Sequence, residues 1–161
     1  MKRAKGGAVC LPTEGFDGDL GGFELMEISF PTNFDPLIDC VIYALCSCLS
    51  HFDCIVSSFL ISTLRLYLAT ENHDIFSGGA FTMGRVVSIL ERYFYASVTT
   101  IDCKSLGNDI HFPCICRVGY EGGVGTHVIF IYQKKIWSLD TAPLYGQIVY
   151  DCRKIYLEKL E

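Results

Sequence analysis

The sequence predicts an α+β protein, with helices in the first half of the chain and strands in the second. From about residue 38 to residue 94, apolar residues recur at three- and four-residue steps, which is typical of amphipathic helices. From Ser97 onward, short runs rich in β-branched and aromatic residues are separated by Gly, Asn, Asp or Lys turns, which is typical of strands. Helices and strands that are segregated along the chain indicate an α+β fold.

Three helices are expected before residue 97. The first begins near Ile38, after a loop marked by two prolines, and ends near Phe52. Its core-facing residues are expected to be Val41, Leu45, Leu49 and Phe52. Those of the second helix are expected to be Val56, Phe59, Leu60, Thr63, Leu64 and Tyr67. Those of the third helix are expected to be Met83, Val86, Val87, Leu90 and Phe94.

Six strands are expected after the helices, at residues 97–101, 113–118, 126–133, 136–139, 147–150 and 153–157. Residues 1–30 begin with basic residues and are rich in glycine, so they are interpreted as a loosely ordered N-terminal arm. Within this arm, residues 23–30 alternate enough to form a short edge strand. Residues 31–161 are expected to form one domain, because a chain of 161 residues, half of them apolar, suffices for a single core.

The composition excludes several classes of partner. A net charge of −5 argues against nucleic acid and against an anionic membrane surface, since both would require a basic face. The longest apolar run, from Val41 to Ile61, is interrupted by His51 and Asp53, so two buried helices explain it better than a membrane span.

The cysteine content indicates a reducing compartment. The nine cysteines are odd in number, and the N-terminus does not resemble a signal peptide. Neither the pair Cys46 and Cys48 nor the pair Cys114 and Cys116 has a second pair at zinc-ligand spacing. We therefore expect no metal site and no cofactor.

Cys40 is the candidate nucleophile because it is expected to open an apolar helix. The N–H groups and dipole of a helix N-terminus favour a thiolate over a thiol, and the thiolate is the reactive form. The alternative is that Cys40 is a small core residue, which is common for a free cysteine. A catalytic interpretation therefore needs a base and an orienting acid.

His127 and Asp140 are the candidate base and acid. His127 begins a strongly apolar strand, which turns at Lys134 and Lys135 and returns through residues 136–139 to Asp140. The hairpin brings Asp140 back towards His127, where a carboxylate would orient the imidazole. Taken separately, His127 is interpretable as a strand histidine and Asp140 as a turn acid.

At these residues the chain resembles the papain-like cysteine proteases. It looks most like the leader protease of foot-and-mouth disease virus and the papain-like proteases of toroviruses and related nidoviruses. The resemblance covers about residues 31–145. It lies in the Asp39-Cys40 pair at a helix start, the Ser77-Gly78-Gly79 stretch before the third helix, and the residues from His127 to Asp140.

The resemblance implies a papain-like fold with a helical half carrying the nucleophile, an antiparallel β half carrying the base, and the substrate in the cleft between them. Cys40 would attack the carbonyl carbon, His127 would transfer the proton, and Asp140 would orient His127. Gly78 and Gly79 would line the groove, because a residue without Cβ allows close backbone approach. They are equally interpretable as a helix-entry turn.

The oxyanion donor departs from the family pattern. The family places an Asn or Gln a few residues before the nucleophile, whereas this chain has Asp35 there. An ionised carboxylate would repel an oxyanion, so the amide of Asn33 is the nearest side-chain alternative.

Several of the viral enzymes that the chain resembles remove ubiquitin or ubiquitin-like modifiers. The expected partner is therefore the C-terminal tail of such a modifier, whose basic residues would contact Glu71, Asp74 and Glu121. A viral polyprotein junction is a second expected substrate, and the host cell cytoplasm is the expected location. The alternatives to a protease are a Cys-His-Asp acyltransferase or amidase, and a catalytically silent protein-binding module.

Overall fold

The computed structural model describes residues 23–35, 39–71, 83–104, 110–119, 127–139 and 148–158. These residues form three helices and a six-stranded mixed sheet, so the α+β class is confirmed. The helices are α1 (Cys40–His51), α2 (Ser58–Glu71) and α3 (Met83–Phe94). The strands are β1 (Glu24–Met26), β2 (Ser97–Thr100), β3 (Cys114–Gly119), β4 (His127–Tyr132), β5 (Lys135–Trp137) and β6 (Ile148–Tyr156).

The sheet has the strand order β1-β5-β4-β3-β6-β2. All neighbouring pairs are antiparallel except β1 and β5, which are parallel. The edge strand expected within residues 23–30 is therefore present as β1, and the backbone N–H of Glu24 donates to the carbonyl of Lys134 at 2.7 Å. This part of the N-terminal arm belongs to the sheet, and the sheet is mixed rather than wholly antiparallel.

β6 is one strand where the sequence predicted two. The prediction treated the polar residues near Asp151 as a turn, but the side chain of Asp151 pairs with Arg153 at 2.8 Å on the same strand. Cys152, between them, is buried opposite Cys116 of β3. The strand continues past Asp151 because Asp151 pairs with Arg117 of β3, next to a register shift between Arg117 and Val118, and β2 pairs with residues 153–156 that follow.

The main core lies between the helices and one face of the sheet. Helix α1 packs on β4 and is buried at every position from Val41 to Leu49. A stripe of one residue per turn, as the sequence predicted, therefore understates its burial. An α-helix that is apolar all round belongs in the interior, and α1 lies between the sheet and α2.

The rotation of α2 differs from the prediction. Phe59 and Thr63 were expected to face the core, yet both are exposed, and Val56 precedes the helix. The buried positions are Ile61, Leu64 and Leu68. The sequence of α2 is apolar on nearly all sides, so its periodicity leaves the rotation open. For α3 the predicted face is confirmed at Met83, Val86 and Leu90, and Ile89 joins them.

The opposite face of the sheet carries a second, smaller core. Its sheet residues include Cys114, Cys116, Ile129 and Ile131, and Phe112 packs against them from the segment before β3. In the part of the chain that the structure describes, no helix is both long and apolar enough to cross a membrane.

Candidate active site

Helix α1 begins at Cys40, as the sequence predicted within two residues. Asp39 occupies the N-cap position, and its carbonyl accepts the N–H of Tyr43 at 2.9 Å as the first hydrogen bond of the helix. Its carboxylate makes no cap hydrogen bond to the helix N–H groups. Cys40 is partly buried against the main core.

The Asp39 carboxylate is directed at Arg65 of α2 instead. Arg65 Nη2 lies 2.8 Å from Asp39 Oδ2, and Arg65 Nε lies 3.4 Å from Oδ1. The same Nη2 donates to the backbone carbonyl of Asn33 at 2.8 Å. The guanidinium also lies over the ring of Phe34, 5.5 Å from its centroid. The loop, the N-cap residue and α2 are therefore joined through the guanidinium of Arg65.

The loop before α1 is fastened to the helix by two further bonds. The backbone N–H of Asp35 donates to Asp39 Oδ2 at 2.7 Å, and the N–H of Asp39 donates to the Asp35 carbonyl at 2.8 Å. Asn33 and Asp35, the two residues considered for the oxyanion, both occupy exposed positions of this loop. These hydrogen bonds to α1 and α2 use backbone groups of the loop, while the ring of Phe34 contacts Arg65 of α2 and Tyr43 of α1.

His127 begins β4, which runs in the same direction as α1. At the far end of α1 the ring of His51 lies 4.5 Å from that of Tyr132, the last residue of β4. Near the start of α1, the hydroxyl of Tyr43 accepts the N–H of Ile28, just beyond β1, at 3.2 Å. The lengths match, since α1 with 12 residues is about 18 Å long and β4 with 6 residues is about 20 Å long. Cys40 and His127 therefore lie at the same end of the helix–strand pair.

Cys40 lies on the face of the sheet that α1 covers, whereas the side chain of His127 starts on the opposite face. Val128 and Phe130 belong to the core under α1, whereas Ile129 belongs to the opposite core. His127 alternates with Ile129 and pairs with Val118, which is also in the opposite core. Contact between the imidazole and the Cys40 sulphur therefore requires the His127 side chain to extend around the end of β4, where the sheet stops.

The remaining predicted site residues fall largely outside the described part of the chain. Asp140, Gly78, Gly79, Asp74 and Glu121 all lie outside the described residues. The backbone of Glu71 ends α2. Of the predicted triad and groove, the structure therefore describes Cys40, His127 and the backbone of Glu71 at the end of α2.

Burial raises the pKa of the other cysteines in α1 and of Cys54 just after it. Burial raises the pKa of Cys46 to about 12 and raises that of Cys48 further. Cys54 is partly exposed, and its pKa is raised by burial and by Asp53. At neutral pH these thiols remain protonated, which makes them poor nucleophiles.

Three further cysteines lie together in the sheet. The sulphurs of Cys116 and Cys152 are 3.4 Å apart on neighbouring strands. Hydrogen bonding to Cys152 and burial raise the pKa of Cys114 and Cys116. The same hydrogen bonds lower the pKa of Cys152, whose side chain is only 1% exposed and so is closed to reagents. Within the described residues no group of three His, Cys, Asp or Glu side chains is arranged to hold a metal ion.

Sequence reasoning missed Arg65. The signal was present, because Arg65 is the lone basic residue in α2, a helix rich in apolar residues. A cation in such a helix needs a carboxylate or carbonyl partner. From the sequence, Asp39 was considered as part of the Asp39-Cys40 pair at a helix start, whereas its carboxylate is the partner of Arg65.

Searches with the sequence and with the structure find no matching protein-family model, curated protein or solved structure. The class of protein is therefore defined by its own geometry: an α+β domain in which a cysteine opens the central helix and a histidine opens the strand beneath it.

Proposed function

We propose that this protein is a cysteine protease of the papain-like type, with Cys40 as nucleophile, His127 as base and Asp140 as orienting acid. One observation carries the proposal. Helix α1 begins at Cys40 and runs alongside β4, which begins at His127, so the two residues lie at the same end of one packed unit, with the His127 side chain starting from the face of β4 away from α1.

The pairing of β4 with β5 supports Asp140 as the third residue of the triad. Phe130 pairs with Trp137, and Tyr132 pairs with Lys135, so each residue backward along β4 corresponds to one residue forward along β5. The pairing ends at Phe130 and Trp137, and counting the same register on by three residues makes Asp140 the position that corresponds to His127. Directly opposed residues of antiparallel strands share a face of the sheet. A carboxylate at that position would hold the imidazole and stabilise its protonated form.

The reaction follows from these roles. The Cys40 thiolate attacks the scissile carbonyl carbon, and protonated His127 gives its proton to the leaving amine. Water, deprotonated by His127, then attacks the thioester and releases the carboxylate product together with the Cys40 thiolate. The Cys40 backbone N–H at the start of α1 would stabilise the negative oxygen of each tetrahedral intermediate.

The proposed substrate is the tail of ubiquitin or a ubiquitin-like modifier, encountered in the host cell cytoplasm. The chain carries a net charge of −5, which favours a basic peptide. Glu71 at the end of α2, with Asp74 and Glu121, supplies the acidic residues that would contact the tail's arginines. A viral polyprotein junction is the second proposed substrate.

A ubiquitin probe with a C-terminal electrophile tests the substrate. We expect a covalent adduct on Cys40 in the wild-type protein and none in Cys40→Ala, with peptide mapping as the readout. Cleavage of a polyprotein junction peptide without any ubiquitin adduct would contradict the ubiquitin assignment and retain the protease. An adduct on a different cysteine would contradict the site.

Selective alkylation separates an activated thiol from a core cysteine. At pH 7 we expect iodoacetamide to modify Cys40 at least about tenfold faster than Cys54 or Cys103, which are also partly exposed. Cys46 should remain unmodified until the pH approaches about 12, because burial raises its pKa to that value. Equal rates at Cys40, Cys54 and Cys103, measured by mass spectrometry, would favour a silent binding module.

A further inference from the structure

We propose that the ion pair between Asp39 and Arg65 is a positioning device for the Cys40 thiolate: it fastens the loop at residues 33–35 to the head of α1 and neutralises the carboxylate next to the nucleophile. The inference rests on the proposed function, since it concerns the same thiol. Neither residue is assigned a part in the chemical steps.

The positioning role follows from two side chains, Asp39 and Arg65, that join the loop at residues 33–35, the start of α1 and α2. Asp39 Oδ2 accepts both Arg65 Nη2 at 2.8 Å and the N–H of Asp35 at 2.7 Å. Arg65 Nη2 in turn donates to the carbonyl of Asn33 at 2.8 Å. The loop that leads into the nucleophile is therefore held at both of its ends by one pair of side chains. A substrate carbonyl approaching Cys40 would lie next to this loop.

The charge role follows from burial. The Asp39 side chain is only 6% exposed, and an uncompensated carboxylate in that position would disfavour a second negative charge on the adjoining residue. Arg65 supplies the compensating charge. The two charges act in opposite directions further along α1 as well: burial raises the pKa of Cys46, while Arg65 lowers it and Asp39 raises it.

Other charged groups border the helix head. Asp35 of the loop contacts Asp39 directly, and the neighbouring elements also carry Glu27 after β1 and His127 at the start of β4. Among the described residues of these elements and of α1 and α2, Arg65 is the one arginine or lysine. Removing it should therefore leave Asp39 without an equivalent replacement.

This arrangement predicts shifts of opposite sign when the partners are removed singly. Arg65→Gln leaves the Asp39 charge beside Cys40, so the midpoint of alkylation rate against pH should rise by about one pH unit. Asp39→Asn leaves the Arg65 charge, so the midpoint should fall. In the double variant the two changes should largely cancel. A purely structural role would move both single variants in the same direction.

The experiment measures the rate of Cys40 alkylation by iodoacetamide from pH 4 to pH 10 in the full chain, with circular dichroism as the test of folding. Arg65→Lys keeps the charge but not the forked geometry, so it should retain the midpoint and lower peptide turnover. Arg153→Gln is the matched control, since it breaks an ion pair of the same 2.8 Å length on β6 and should leave the midpoint unchanged.

The outcomes distinguish this inference from the proposed function. Opposite shifts in Arg65→Gln and Asp39→Asn, with the midpoint retained in Arg65→Lys, support the ion pair as the positioning device. A low wild-type midpoint that stays in place in Arg65→Gln and Asp39→Asn would overturn the role of the pair and retain the activated thiol. An ordinary thiol midpoint in the wild-type protein would overturn the proposed protease itself. If Arg65→Gln does not fold, Arg65→Lys against Asp39→Asn gives the same comparison, and equal midpoints would overturn the inference.

Discussion

Cys40→Ala and His127→Ala are each expected to lower peptide or isopeptide turnover by more than about a thousandfold. Each substitution removes one of two groups that act as a unit, since the thiol without its base is a weak nucleophile and the base without the thiol has nothing to activate. The measurement is kcat/KM on a peptide substrate or on ubiquitin chains. Both variants should fold, because Cys40 and His127 are only partly buried.

The double variant Cys40→Ala with His127→Ala provides the internal check. Because the residues act together, it should be about as inactive as either single variant rather than showing the product of two losses. Cys54→Ala is the matched cysteine control and should retain wild-type turnover, since Cys54 follows the far end of α1. Substantial turnover in Cys40→Ala or in His127→Ala would refute the assignment of that residue.

Phe130→Ala is expected to lower the free energy of unfolding by about 3–5 kcal/mol. Phe130 is 0% exposed in the middle of β4. Its ring centroid lies 5.6 Å from that of His51 on α1 and 5.1 Å from that of Trp137 on β5. Truncation would leave a cavity between the helix and the sheet, where surrounding side chains can collapse only in part. Urea denaturation followed by tryptophan fluorescence measures the change.

Phe59→Ala is the matched control for that measurement. Phe59 is 81% exposed on α2, although the sequence pattern predicted it in the core. Its truncation should change the free energy of unfolding by no more than about 0.5 kcal/mol. A large destabilisation in Phe59→Ala would mean that α2 is rotated in solution as the sequence pattern predicted.

The element types could be predicted because they depend on local spacing. Apolar residues at three- and four-residue steps identified α1 and α3, and alternation with β-branched residues identified β3 and β4. Two predictions, the rotation of α2 and the break in β6, were wrong for one reason: the local sequence pattern does not specify which elements pack against a helix or pair with a strand. Phe59 lies on a helix whose rotation is selected by packing, and Asp151 interrupts a strand pattern that pairing with β3 maintains.

The candidate site divides in the same way. Cys40 was predictable because a proline-marked loop followed by an apolar helix places it at a helix start, and His127 because it opens an apolar strand. Arg65 was not found because its partner Asp39 lies 26 residues earlier, and no local spacing connects them. Residues 36–38 and Asp140 lie outside the described residues, so the approach to Cys40 and the third member of the triad remain sequence predictions.

By itself, the sequence determined the α+β class, the start of α1 to within two residues of Cys40 and the start of β4 to within one residue of His127, since each follows from the order of residues within one element. Only the tertiary structure decided that α1 runs parallel to β4, that His127 begins on the face away from α1, and that Asp39 is held by Arg65. These relations depend on which surfaces bury one another and on which charges are removed from water together. Both the buried surfaces and the charge pairs are formed by residues far apart in the chain, so local periodicity does not encode them.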